Sequence, residues 1–481
     1  MADERPNIIV IMTDQHRGDC LGVNGHPLVS TPNLDGLAAD GTNFTAAYSA
    51  CPSCVPARAV LMTGQTPWHT GILGMGQGQG RIRTDYSHTF PAVLATAGYH
   101  TQLVGKMHFN PPRALNGFHN TVLDEHPENG EFKSDYQAWF EEHAPAGVHM
   151  REHLRDWNTM DARPFHLPEW LHPTNWTARE SIRFLERRDP DKPFFLLTSF
   201  IRPHSPYDPP QCFWDMYADR EIPPPAVGDW AHIHDVPADA RDISAWHGKR
   251  TPDEERRARI GYYGSVSHVD NQIGSLISYL KAKRLYHNSL IVFTADHGDM
   301  LGDHNMWRKT YAYQSSTRIP FIVKFPHAMG VPTGNCDRPA ELRDVMPTAL
   351  DVAGVSIPGT VDGVSLQAVC RGESSLRDYL HGEHCTCYST SDENQFVTDG
   401  KRKYIWFPRT NREQFFDLEA DPEELHDLIK NTDRSAEIDG WRGRLIAELD
   451  ARDCGLVAGG KLIKQDQPIV SPWRDKPRSV E

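Results

Sequence analysis

The sequence predicts an α/β fold: a large doubly wound, mostly parallel sheet flanked by helices, followed by a small C-terminal α+β subdomain. Three observations predict it. Short continuous apolar runs rich in β-branched and aromatic residues recur, at Asn7 to Met12, Phe194 to Phe200 and Leu290 to Thr294. They are apolar at every position, as in strands covered on both faces of a parallel sheet. Helical patterns lie between them, and that alternation is the signature of a doubly wound sheet. Each run then empties into reactive polar residues: Thr13-Asp14-Gln15, Arg202-Pro203-His204 and Asp296-His297. Open α/β sheets bind their ligands beyond the carboxyl ends of their strands.

In chain order, Asn7 to Met12 is the first buried strand. Thr31-Pro32-Asn33-Leu34 starts a helix, with Thr31 as N-cap and Pro32 at the first position, and Gly41 ends it. Phe90 to Ala97 reads as a helix stopped by Gly98, and the strand Tyr99 to Val104 leads into Gly105-Lys106-Met107-His108. Ala114 to Thr174 is rich in His, Pro and Trp and reads as loops inserted over the strand ends. Trp139, Trp157, Trp170 and Trp176 within or near it suit packing better than a substrate pocket. Asp253 to Leu285 carries one helical face, through Ile260, Tyr263, Val266, Ile273, Leu276, Ile277 and Leu280. Arg318 to Phe325 reads as a strand and Asp344 to Val352 as a helix. After about Gly372 the texture changes. Phe396-Val397-Thr398, a turn at Asp399-Gly400 and Lys403 to Trp406 predict a β-hairpin. Gln414 to Leu418 adds a strand, and Asp421-Pro422-Glu423-Glu424 opens a terminal helix. The expected division is a main domain over 1–372 and a subdomain over 373–481.

Composition bounds the function. The chain has 481 residues and a formal net charge of -14, which argues against nucleic-acid or anionic-membrane partners. It leaves room for a locally basic pocket that takes an anionic small molecule. No apolar run approaches the ~20 residues that span a bilayer. Nine cysteines without a framework fit a reducing compartment. With the polar start Met1-Ala2-Asp3-Glu4-Arg5-Pro6, the expected location is cytoplasmic, export staying open to a chain whose leader was removed. The polar, Pro-containing tail from Gln465 is compatible with a contact in a homo-oligomer.

The most informative stretch is Cys51 to Gly64, which contains Cys-x-Pro-x-Arg from Cys54 to Arg58. Pro56 fits the first turn of a helix. Cys54 then stands at a helix N-terminus, where unsatisfied N–H groups and the dipole favour negative charge. Arg58, about one turn on, returns to the same face. Cys51-x-x-Cys54 is also a redox or zinc half-site spacing, and a buried structural cysteine is a third reading. For zinc, the second pair would be Cys385-x-Cys387, which is too tightly spaced. Asp14 and Gln15 at one strand end, Asp296 and His297 at another, and Cys54 could together hold one divalent cation. Their oxygens suit calcium or magnesium, and the imidazole admits manganese.

The Cys54 motif with its following Thr63-Gly64, together with Asp296-His297-Gly298-Asp299-Met300-Leu301-Gly302 and Gly105-Lys106-Met107-His108, resembles the type I sulfatases of the alkaline-phosphatase superfamily. The motif style is nearest the choline-sulfatase and arylsulfatase branch. The resemblance runs from Asn7 to Phe416-Asp417-Leu418. It implies an alkaline-phosphatase-like fold and conversion of Cys54 to formylglycine, whose hydrate is the nucleophile. It also implies one divalent metal, calcium first with manganese or magnesium as alternatives, held by Asp14, Gln15, Cys54, Asp296 and His297. Val55 departs from the small residue more common there. Gln15 and His297 stand where many members have Asp and Asn. By the same resemblance, Arg58, Lys106 and Lys309 neutralise sulfate oxygens, His204 or Lys309 protonates the leaving alcohol, and His108 takes a proton as sulfate departs.

The resulting expectation is a sulfuric ester hydrolase acting on a small organic sulfate ester or sulfated sugar, matured by a formylglycine-generating enzyme. A phosphonate monoester or phosphodiester hydrolase on the same scaffold is the nearest rival. A catalytically inactive binding protein of this fold is the rival from another class. Choline sulfate, an aryl sulfate and a carbohydrate sulfate all remain open as substrates.

Overall fold

The computed structural model describes residues 5–75, 81–82, 85–125, 132–150, 158–234, 246–374 and 377–470. An eight-stranded sheet forms its centre. Across the sheet the strands are Asn120–Leu123, His100–Gly105, Phe194–Pro203, Asn7–Asp14, Ser289–Ala295, Phe321–Lys324, Thr42–Phe44 and Gly334–Cys336. The first five pair in parallel. Phe321–Lys324 runs against both its neighbours, and the last pair is parallel again. Register sets the site: Met12 lies opposite Ser199 on one side and Thr294 on the other. The carboxyl ends of the three central strands are therefore level, and Asp14, His204 and Asp296 emerge together.

Alternate residues of the first strand face opposite sides, as the pleat requires. Ile8, Val10 and Met12 pack with Ala59, Val60, Met346 and Leu350. These belong to the helices Cys54–Thr63 and Val345–Val352. Ile9 and Ile11 pack with Ile273, Leu276 and Leu280 of the helix Pro252–Ala282. Thr251 caps that helix by accepting from the Glu254 backbone N–H, while the Glu254 carboxylate accepts from the Thr251 backbone N–H. Truncating a residue such as Ile9 to alanine would cost about 2–5 kcal/mol through lost burial and the cavity left.

Four antiparallel strands, Leu380–His384, Asn394–Thr398, Arg402–Phe407 and Arg412–Asp417, form the C-terminal sheet in sequence order. The expected hairpin is there, with Thr398 opposite Lys403. Its turn is held by Asp399 Oδ1, which accepts from the backbones of Lys401 and Arg402. Gly400 has φ +88°, and a Cβ there would meet Ala46 Cβ at 2.6 Å. The helix Ser435–Asp450 covers one face of this sheet through Ile438, Trp441 and Leu445. Phe396, Ile405 and Phe416 on the other face pack against Tyr48, Trp230 and Tyr313 of the main body.

Several expectations need correction. The stretch read as inserted loops contains the strand Asn120–Leu123 and the helix Asp135–His143, and the helix Pro173–Arg187 begins at its end. Its Trp and His residues masked the helical spacing. Trp176 is buried with Tyr136, Phe140 and Leu171, so it packs. Trp139 lies against the edge of Trp170 and stacks on His143, and Trp157 lies outside the described residues. Residues 421–424 form a turn rather than the start of the terminal helix. Glu424 has φ +55° and ion-pairs with the buried Lys403 at 2.8 Å, which draws the chain away from helical geometry. Thr31 precedes its helix as expected, but its hydroxyl donates to Asp35 and accepts from the Gly22 backbone N–H, and it caps no N–H of this helix. The strand read from Arg318 starts at Phe321, after Pro320. Among the described residues, no helix is long and apolar enough to cross a membrane.

Candidate active site

Cys54 opens the helix Cys54–Thr63, and Ser53 before it is extended at φ -156° and ψ 158°. The Ser53 hydroxyl makes no capping bond within this helix. It donates instead to His384 Nε2 at 2.8 Å, because His384 Nδ1 donates to the Cys385 carbonyl. Glu383 N–H also bonds Ala50 O at 2.8 Å. The edge strand of the C-terminal sheet thus fixes the turn that presents Cys54. No sequence pattern marked His384 for this part.

Three groups converge on Cys54, all buried. Its Sγ lies 3.2 Å from His297 Nε2, 3.6 Å from Asp14 Oδ1 and 3.9 Å from Lys106 Nζ. Arg58 lies one turn along the same helix. Its Nη2 sits 2.9 Å from Asp14 Oδ2 and 2.8 Å from Asp296 Oδ2, and its Nη1 donates to Ser199 Oγ at 2.9 Å. Arg58 was expected on substrate oxygens. Its guanidinium bridges the two carboxylates from beneath. Lys106 Nζ, 2.6 Å from Asp14 Oδ2, neutralises the same oxygen.

These charges decide the protonation states. Burial alone would raise the pKa of Asp14, but Lys106, His204 and Arg58 outweigh it and hold the carboxyl well below its usual range. Burial opposes charge on His297, yet the Asp296 carboxylate prevails and raises its pKa. His297 Nδ1 donates to Gly298 O at 2.8 Å, which leaves Nε2 facing Asp14 Oδ1 at 3.7 Å and Asp296 Oδ1 at 3.6 Å. Two carboxylate oxygens and the imidazole Nε2 that face one another gather positive charge, which a proton on Nε2 or a metal ion among them would supply. One donor atom from each of Asp14, Cys54, Asp296 and His297 lies within 4.8 Å of all the others. The donor set therefore fits a divalent ion.

Gln15 reaches the site at φ +66°, with its backbone N–H donating to Asp296 Oδ1 at 3.0 Å. Its side chain is committed elsewhere. The amide nitrogen donates to Asp299 Oδ2 at 2.6 Å, and the amide oxygen accepts from Lys309 Nζ at 2.9 Å. The same Lys309 Nζ lies 2.9 Å from His204 Nε2. Burial, and then the lysine charge, lower the His204 pKa well below its ordinary value. Lys309 and His204 thus form one hydrogen-bonded pair, tied to the carboxylate centre through Gln15.

His108 stands at φ +56° beside the group rather than in it, with Nε2 3.9 Å from Glu125 Oε2. Glu125 Oε1 accepts from the backbones of Met107 and His108 and shapes this loop. Burial, then Lys106 and Arg58, depress the His108 pKa strongly. Glu125 and Asp299 went unassigned in the sequence. Each follows a strand end, and that position was the available signal.

The fold is of the alkaline-phosphatase-like class, and it carries a buried group of carboxylates, cations and an imidazole around a helix-terminal cysteine. The chain belongs to the sulfatase family. Residues 6–355 match the sulfatase family model, and residues 302–449 match the model of the N-sulphoglucosamine sulphohydrolase C-terminal region. An arylsulfatase of Clostridium perfringens is 43% identical over 475 residues, covering 96% of this chain and 98% of that one. A choline-sulfatase of Rhizobium meliloti is 32% identical over 90% of this chain and 84% of its own length. The crystal structure of a phosphonate monoester hydrolase of Agrobacterium radiobacter superposes with a TM-score of 0.75 at 24% identity, over 93% of this chain and 96% of that chain. The protein is accordingly an enzyme, a sulfatase that hydrolyses sulfate esters.

Proposed function

We propose that this enzyme cleaves a small organic sulfate monoester to alcohol and sulfate, with Cys54 acting as formylglycine and one divalent cation held by Asp14, Asp296 and His297. Calcium is the first choice, because carboxylate oxygens dominate the donor set. The observation that carries the reading is the convergence of Asp14, His297 and Lys106 on Cys54 at a helix N-terminus.

When present, the hydrated aldehyde supplies a hydroxyl nucleophile with a second hydroxyl that lets sulfate depart, and the cation lowers the charge on the reacting oxygens. The residues do the rest. Arg58 locks Asp14 and Asp296 into one geometry. Lys106, beside Cys54, meets a sulfate oxygen as negative charge develops there. The Lys309–His204 pair hands its proton to the leaving alcohol oxygen. His108, held neutral by burial and nearby cations, receives a proton at Nε2 from the remaining hydroxyl once its ring turns from Glu125.

Steady-state kcat/KM on a matched pair of aryl esters, one sulfate and one phosphonate, tests the reaction class. The protein is co-produced with a formylglycine-generating enzyme. The sulfate is expected to win by orders of magnitude. A phosphonate preference would keep the scaffold and overturn the reaction.

A further inference from the structure

A second buried cluster lies outside the catalytic group. His234, His247 and Asp392 each present a donor atom within 4.8 Å of the others. All three are buried. They come from three separate segments: the turn Ala231–His234, the chain at residue 247, and the turn Thr390–Asp392.

Hydrogen bonding fixes the imidazole of His234. Tyr313 Oη donates to Gln414 Oε1 at 2.7 Å, so it accepts from His234 Nε2, also at 2.7 Å. His234 Nδ1 is then the lone-pair nitrogen, and it faces Asp392 Oδ1 at 3.3 Å. Two acceptors that face each other in a buried site need a cation. A proton on Nδ1 would answer only half of this. The other carboxylate oxygen, Asp392 Oδ2, is buried and accepts no hydrogen bond from the described residues. It lies 3.9 Å from His247 Nε2. Tyr311 Oη lies 3.3 Å from that same nitrogen.

The two 3.3 Å separations are those of neighbouring ligands on one ion, and the 3.9 Å gap is too long for a direct hydrogen bond. Ligands about 2.0–2.1 Å from a tetrahedral zinc stand roughly 3.3 Å from one another. Two neutral imidazoles and one carboxylate are a ligand set suited to zinc and its neighbours. We propose that His234 Nδ1, His247 Nε2 and Asp392 form a structural transition-metal site of zinc type, with Tyr311 Oη at the fourth position. The ion joins the 231–234 turn, residue 247 and the edge of the C-terminal sheet. It also reaches Tyr311, two residues beyond Lys309, and so steadies the loop that carries Lys309 without touching the reacting atoms.

The test uses the full-length enzyme, saturated with calcium, equilibrated with zinc, desalted, and measured for both metals by mass spectrometry. Wild type is expected to keep one zinc per chain and to melt at a higher temperature than the zinc-free enzyme. His247→Gln and Asp392→Asn are expected to lose the zinc and keep the calcium, while Asp296→Asn does the reverse. Cobalt in place of zinc should give intense visible absorption of tetrahedral type. Wild type that retains no zinc overturns the proposal, whatever the variants do. So does zinc that leaves with Asp296→Asn, which assigns it to the catalytic group. Zinc that survives both His247→Gln and Asp392→Asn would also overturn it, by pointing to a surface pair such as His287 and His327.

Discussion

Lys309 Nζ and His204 Nε2 stand 2.9 Å apart, and the His204 ring is turned by its Nδ1–H bond to the Ser205 carbonyl. That bond commits Nε2 to accepting. Burial and the Lys309 charge drive the His204 pKa down and hold its ring neutral. The pair faces the catalytic centre through Gln15, the residue that also bonds Asp296.

A proton donor matters in proportion to how badly the leaving group needs it. Lys309→Met is predicted to lower kcat/KM about 10²–10⁴-fold on alkyl sulfates. The loss should be much smaller on nitrophenyl sulfate, whose leaving group needs no proton. Equal losses on both substrates would make Lys309 an anion-binding group only.

Arg58 bridges Asp14 and Asp296, with all three side chains fully buried. Removing one partner of a buried ion group leaves charge uncompensated, at about 3–5 kcal/mol. Arg58→Met is therefore predicted to destabilise the fold by that order, read from denaturant unfolding. Asp296→Ala should instead lose the divalent ion proposed for this site. A mutant with normal metal content would remove Asp296 from the ligand set.

Two buried histidines that belong to neither proposed ion site predict the acid limb of stability. Burial lowers the pKa of His304 to about 4, and burial with Arg452 lowers that of His381 to about 3. Both ionise near 6.5 in the unfolded chain. Below 6.5 the unfolded chain binds more protons than the folded one, so stability falls as pH drops toward 4 and is insensitive to these groups above 6.5. Each contributes a slope of up to about 1.4 kcal/mol per pH unit. Thermal unfolding between pH 8 and pH 5 should show the loss, and His381→Gln should flatten it. An unchanged slope in that variant would contradict the assignment.

The central strands were legible because a strand covered on both faces is apolar at every position, as at Ile8 to Met12. Asp14 and Asp296 at their ends were legible for the same topological reason, whereas Lys106, His204 and Lys309 rested on the family resemblance; the five do meet. Partner choice was not legible. Arg58 faces carboxylates rather than open space, and Gln15 is held by Lys309 and Asp299, because those geometries depend on strand register. The bracing of Ser53 by His384 joins residues 331 positions apart, beyond any local pattern. The strand Asn120–Leu123 escaped notice because four residues amid His and Pro carry little periodicity.

The most direct measurement is the mass of the peptide containing residue 54, taken on preparations of graded conversion and set against turnover of an aryl sulfate. The account predicts kcat in strict proportion to the formylglycine fraction, vanishing for unmodified Cys54 and for Cys54→Ala. Full turnover by protein that carries only cysteine at position 54 would contradict it.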